Sequence, residues 1–300
     1  MSETLLAEPP VRTVEADINY LLPDGPKVNR RFAAPGIEVN TGRYAPYTVT
    51  IRDGRPIKYR LTLDQSGFQL FSHRSAVTDF FDNEQVGRVY PGEVTEAIKQ
   101  WTGASSVAPM GWMVRTSDDL SKYRRPVAGY AHQGGVQPPA GEAHIDTIPE
   151  KALPQAQALY KKFRPDGPGF HRFIYSSFWR TFSEPPQDWP LAVCESGSVR
   201  DDEGVPNVLV VVDTIPEGEA MFAPIPGEDS KPTAAIFHHN PDHRWWYFSN
   251  MTRDEVLLVK FHDSDRSRAW RTPHTAFHDP SFPNAKPRAS IEVRSVAFFE

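Results

Sequence analysis

Cysteine is almost missing: Cys194 is the single one in 300 residues, so no disulfide within the chain can brace the fold, and a small disulfide-built domain is excluded. Long apolar runs are missing too. The longest, such as Val208–Val212 and Val256–Val259, reach about five residues, against the ~20 that a membrane-spanning helix needs. Positive charge is scarce, with 33 Lys and Arg against 38 Asp and Glu and a net charge of −5. No basic cluster marks a nucleic-acid surface. No glycine-rich phosphate loop or CxxC pair occurs, which argues against a nucleotide cofactor. The opening MSETLLAEPP places acidic residues where a signal peptide carries basic ones, and with the lone cysteine this points to a reducing, cytoplasmic setting. What is present is an apolar share of 39%, aromatics at 12% and charged residues at 24%, the composition of a folded enzyme or binding protein and not of a disordered chain. The 29 prolines disfavour an architecture of many long helices.

The chain reads mainly as strands. Between Arg30 and Phe71, RRFAA, YTVTI, IKYRLTL and FQLF form β-type runs, and Lys58–Leu63 alternates with the period of two of a half-buried strand. A helix is expected from Tyr90 to Trp101, with Pro91 and Glu93 in its first turn and Gly103 as its stop, followed by a strand over SVAPMGWMVR. Residues 117–141, polar and rich in Gly and Pro, read as a mobile loop or lid. Beyond them come a strand over Glu142–Thr147, a helix over Leu153–Phe163 and a long aromatic strand over Phe170–Phe182. Short strands then recur at Pro190–Cys194, Asn207–Val212, Ala234–His238, Arg244–Phe248, Val256–His262 and Ser290–Phe299. That spacing is the signature of a β-sandwich or barrel.

Chemistry is concentrated in a few places. In a strand His144 and Asp146 point to one face, which supplies an imidazole and a carboxylate side by side, two of the three ligands of a 2-His-1-carboxylate iron site. HxD alone is common, and as a surface pair it would mean little. A distal histidine completes the set; His274 is the first candidate, with His278 and His262 as alternatives. Downstream, Arg288 can form a bidentate pair with a carboxylate, and Ser290, two residues on, shares its face. Other groups read more blandly. The turn near Cys194 lacks the full nucleophile-elbow pattern, and Cys194 reads as a buried small residue. His238, His239 and His243 surround an Asn-Pro-Asp turn, Trp245–Phe248 reads as barrel wall, and Lys260 and Asp263 read as a polar network or a strand end.

Taken together, PLAVCESGSV (190–199), HRWWYFSNMTRDEVLLVKFHDS (243–264), PHTAF (273–277) and PRASIEVR (287–294), with YPGE (90–93) and TGA (102–104), resemble the CmcJ/NvfI-like family, the AsaB-type hydroxylase/desaturases. The likeness spans roughly residues 65–299. It implies a non-haem Fe(II)/2-oxoglutarate-dependent dioxygenase of natural-product biosynthesis, with iron on His144, Asp146 and His274 and the 2-oxoglutarate carboxylate on Arg288 and Ser290. The implied fold is mainly β with flanking helices, a distorted double-stranded β-helix of the jelly-roll or cupin-like kind. The implied layout is one domain over 1–300: N-terminal strands and a helix in 1–115 packed on the outside, a loop or lid at 116–141, and the barrel core with the metal site in 142–300. Dioxygen and 2-oxoglutarate are the expected co-substrates, decarboxylation to succinate accompanying hydroxylation, desaturation, ring formation or endoperoxidation. A small apolar molecule is the expected partner, and nothing in the chain opposes a homodimer. Trp179 and Arg180 match family blocks without an assigned role. A barrel-shaped binding protein and a metal-dependent hydrolase or isomerase on the same triad are the rival readings.

Overall fold

The computed structural model describes residues 10–26, 29–34, 37–123 and 135–300. Its elements are β1 (Thr13–Leu21), β2 (Asn29–Ala34), β3 (Ile37–Asn40), β4 (Tyr44–Asp53), β5 (Phe68–Ser72), α1 (Asn83–Thr102), β6 (Ser106–Thr116), β7 (Val136–Gln137), β8 (His144–Ile145), α2 (Pro149–Phe163), β9 (Arg172–Thr181), β10 (Leu191–Cys194), β11 (Val205–Val211), β12 (Thr233–Ile236), β13 (Trp245–Tyr247), β14 (Glu255–Asp263), β15 (His274–Ala276) and β16 (Ala289–Phe299). They form a ten-stranded sheet in the order β1-β4-β13-β10-β15-β8-β12-β11-β2-β3 and a six-stranded sheet in the order β5-β14-β9-β16-β6-β7. The architecture is mainly β, as expected.

Burial explains the sequence of the central strands. Every residue of β9 after Arg172 is buried, as is every residue of β14 after Glu255. One face of β9 meets the core between the sheets through Phe173, Tyr175 and Trp179. Its other face, through Ile174 and Phe178, meets the apolar side of α1. A strand covered on both faces loses the polar alternation of a half-solvated one, which is why Phe170–Phe182 reads as a long apolar and aromatic segment.

Several expectations are corrected. Lys58–Leu63 forms no strand: Arg55–Ile57 is a 3₁₀ turn and the chain continues in turns, Leu61 and Leu63 buried as anchors while Tyr59 is exposed. Pro56 inside that turn sets a bend that the alternation of side chains cannot reveal. Helix α1 begins well before Tyr90, at Asp82, whose carboxylate accepts from the backbone N–H groups of Glu84 and Gln85. Pro91 lies inside the helix, because burial of Val86 and Tyr90 on the turn before it and of Val94 after it outweighs the lost hydrogen bond. Gly103 is the stop, in the left-handed conformation at φ 74°. Helix α2 starts at Pro149 and not at Leu153. Of the N-terminal strands, β1 and β4 form one end of the larger sheet and β2 and β3 the other. β1 itself, which alternates between exposed and buried from Thr13 to Tyr20, was legible and is missing from the strands expected. Of the loop expected over 117–141, Val136–Gln137 pairs in parallel with β6, and residues 124–134 lie outside the described residues.

Candidate metal centre and its cavity

Ladder register builds the centre. In the middle of the larger sheet β15 runs antiparallel to β8 with His274 directly opposite His144, so their rings face each other with centroids 4.4 Å apart. β8 is shorter than the strand expected over Glu142–Thr147: only His144 and Ile145 form it, Glu142 makes an isolated bridge to Asn19, and Asp146 lies in the bend that leads into α2. The alternation of burial nevertheless continues through Thr147, so Asp146 stays on the His144 face. The three side chains each offer one ligand atom, all within 4.8 Å of one another. This is the only such group of His, Cys, Asp and Glu among the described residues.

The rings are oriented from behind. The Nδ1 of His144 lies 2.8 Å from the Glu142 carbonyl, and that of His274 lies 3.4 Å from the Thr272 carbonyl. A carbonyl accepts only, so each Nδ1 carries the hydrogen and each Nε2 is left with its lone pair toward the centre. Phe261 stacks on the His274 ring at 5.1 Å and 7°. Burial, reinforced by His144, pushes His274 down to about 3, which keeps it neutral and able to ligate. Burial alone would raise Asp146, but Arg294, then His144 and His274, hold its carboxyl below the usual carboxylate range. Asp146 Oδ2 is buried with no hydrogen-bond partner and lies 3.8 Å from His274 Nε2. Two imidazole nitrogens and one unpartnered carboxylate oxygen are the donor set of a borderline divalent metal such as iron, and these residues fit it.

A narrow cavity open to solvent leads to the centre. The larger sheet lines it with His144, His274 and Leu191, the smaller one with Trp179, Val259 and Glu292. Arg115 and Arg288 also line it. Arg288 is 1% exposed; its Nη1 donates to the Trp189 carbonyl at 2.9 Å while its Nε has no partner. Burial, and then the nearby Arg115, push this guanidinium down to about 9, while the Asp188 and Glu292 carboxylates pull the other way without forming an ion pair with it. Ser290 is equally buried, its Oγ also without a partner. Arg115 on β6 pairs directly with Ser290 in the ladder, so both side chains rise from the same face. Arg288 Nε and Ser290 Oγ are thus two buried donors left open to an acceptor.

The remaining candidates fall elsewhere. His262 is buried, stacked on Phe173, and His278 is exposed beside Trp189; neither joins the triad. Cys194 is buried, and burial pushes its thiol up to about 12, as befits an inert core residue. His243 is held between the Tyr20 hydroxyl and Glu203, and His239 stacks on Tyr47. Lys260 pairs with Asp263 at 2.7 Å and Asp263 with Arg172, both acid and amine fully buried in a network that ties β14 to β9. Alternation also separates Trp179, which lines the cavity, from Arg180, whose guanidinium bonds the Tyr90 hydroxyl beneath α1. Sequence reading missed Arg115, Glu292 and Arg294. The last two continue the every-second-residue series from Arg288 and Ser290, a signal that was present in the sequence.

Comparison with known proteins adds to this geometry. A family described as "Oxidoreductase/YMDC permease-like domain" matches residues 18–298. The hydroxylase/desaturase efuI of Hormonema carpetanum is 32% identical over 293 residues, covering 96% of each chain. The alpha-ketoglutarate-dependent dioxygenase phiK of a fungal species is 29% identical, covering 95% of this chain and 96% of the relative. Among solved structures, the iron and alpha-ketoglutarate-dependent endoperoxidase NvfI superposes with a TM-score of 0.75 at 24% identity, over 96% of this chain and 98% of that one. That likeness concerns the fold.

Proposed function

The chain belongs to the hydroxylase/desaturase family of Fe(II)/2-oxoglutarate-dependent oxygenases, and on that premise we propose that His144, Asp146 and His274 hold its Fe(II) while Arg288 and Ser290 anchor 2-oxoglutarate. The observation that carries the assignment is the pairing of a three-donor centre with a buried, unneutralised Arg288 in one cavity. When bound, iron with 2-oxoglutarate and dioxygen supplies the oxidising power, and 2-oxoglutarate leaves as succinate and carbon dioxide. The chain's own residues bind and orient. His144 and His274 present Nε2, Asp146 presents Oδ2, and three facial donors leave the other positions to the co-substrates. Arg288 and Ser290 meet the far carboxylate of 2-oxoglutarate with charge-assisted and hydroxyl hydrogen bonds, fixing which end approaches the centre.

The substrate is a small apolar natural-product intermediate, and the support is the wall of Trp179, Leu191, Val259 and Ala276 that faces the triad. Hydroxylation, desaturation, ring formation and endoperoxidation all start from the same removal of hydrogen, so the outcome follows from which substrate carbon this wall presents. The same proposal takes the two sheets as a distorted double-stranded β-helix and the whole of 1–300 as one oxygenase domain, supported by strands from both ends of the chain within each sheet. The test is anaerobic addition of Fe(II) and 2-oxoglutarate to wild type and His274→Ala, watching for the weak visible charge-transfer band of the chelated keto acid. A band in the first that vanishes in the second is expected. No band in folded wild-type protein rejects the assignment and leaves a binding or hydrolytic role for the same fold.

A further inference from the structure

One strongly charged group at the centre is neither a proposed iron ligand nor a proposed anchor. Arg294 on β16 lies with its Nη2 3.0 Å from Asp146 Oδ1, while the other oxygen, Oδ2, faces the His274 ring nitrogen. The two oxygens of the carboxylate are thereby sorted, one to a guanidinium and one to the imidazoles. Arg294 is itself fixed: the same Nη2 contacts Glu292 at 3.2 Å, and its ladder partner on β9 is Ser177, a cavity-lining residue. On the other side the pairing with β6 shifts register between Val293 and Ser295, so Arg294 has no ladder partner there. Irregularities of this kind recur beside active sites, where they re-aim one side chain.

We propose that Arg294 is a positioning residue for the metal-binding carboxylate: by holding Asp146 Oδ1 it confines the metal to Oδ2. The inference rests on the iron-site reading above and deepens it. The torsion that turns an aspartate's carboxylate is broad and nearly two-fold, so an unrestrained Asp146 could exchange its oxygens or offer both. A carboxylate that gave both would take a coordination position that the co-substrates need. A guanidinium on one oxygen removes that freedom, as outer partners of metal ligands generally do. Its charge does not oppose a divalent cation unchecked, because Asp146 and Glu292 both flank it and the trio carries a net negative charge.

Metal affinity reads this out without turnover. Protein stripped of metal and kept under argon is titrated with Co(II), followed by its visible absorption, for wild type, Arg294→Gln and Arg294→Lys, with melting curves beside each. Arg294→Gln is expected to bind Co(II) about 10–100-fold more weakly, the usual loss for an outer partner of a ligand. Arg294→Lys, which keeps the charge but not the planar guanidinium, is expected to fall between Gln and wild type. A folded Gln variant with wild-type affinity, or a Lys variant no better than Gln, overturns the inference and leaves the iron site standing. Should the Gln variant fail to fold, the Lys variant carries the test: a few-fold loss supports the inference and wild-type affinity overturns it. Wild-type protein that takes up no Co(II) overturns the iron-site reading and the inference with it.

Discussion

Arg288 and Ser290 show how much a single residue's surroundings decide. Both are 1% exposed, and both hold a polar atom with no partner, so each has been taken out of water and left unsatisfied. Such groups cost stability unless a ligand completes them. Arg288→Gln is therefore expected to raise the KM for 2-oxoglutarate by about 10–100-fold, the worth of a buried charge-assisted contact. Ser290→Ala, which removes a single hydrogen bond from an uncharged donor to that carboxylate, ~1.5 kcal/mol, should raise it about ten-fold, at the low end of the Arg288 range. Steady-state assays of 2-oxoglutarate consumption check the ranking, and equal effects from the two variants would contradict the roles given them. At this scale the sequence was informative. The HxD spacing and the R-x-S spacing both survive as neighbours in space, because residues two apart in extended backbone share a face whether or not a strand formally continues.

Elements were less legible. Helix α1 carries a proline that reads as a beginning, yet its start is fixed by Asp82 and by tertiary burial of Val86 and Tyr90. The Asp82 carboxylate meets the N–H groups of Glu84 and Gln85 at 3.0 and 3.1 Å. Asp82→Ala should cost about 1 kcal/mol, the ordinary worth of an N-cap, read as a lower urea midpoint with unchanged slope. Asp82→Ser should recover most of the loss. A silent Asp82→Ala would mean that α1 is held by its packing on the six-stranded sheet alone. The strand expected at Lys58–Leu63 failed for a related reason: the alternation of Tyr59, Leu61 and Leu63 has a strand's period, but the turn buries only Leu61 and Leu63 and leaves Tyr59 exposed, and Pro56 selects the turn.

For the whole molecule, acid stability depends on groups the fold keeps neutral. His262 is 8% exposed, stacked on Phe173 and edge-on to Trp270, with its Nδ1 unpartnered. Burial first, then the charge of Arg266, lower it from 6.5 to about 4. Between those values the unfolded chain binds the proton and the folded chain does not, so stability falls as pH drops below 6.5 and stops falling below about 4. From pH 7 to pH 5 this single group should remove about 2 kcal/mol. His262→Phe, of similar shape and without the proton, should lessen the loss of unfolding free energy over that interval by the same amount, measured by urea melts. An unchanged loss would show that His262 does not govern it. The sequence by itself determined the donor types and the mainly β character, because these follow from side-chain chemistry and a period of two that needs only the local backbone. Only the tertiary structure decided that His274 and not His262 or His278 meets His144, that Arg294 holds Asp146, and that the N-terminal strands close both ends of the larger sheet. Each of these is a pairing between distant segments, and ladder register between such segments is set by the packing of the whole core and is written in no one stretch of chain.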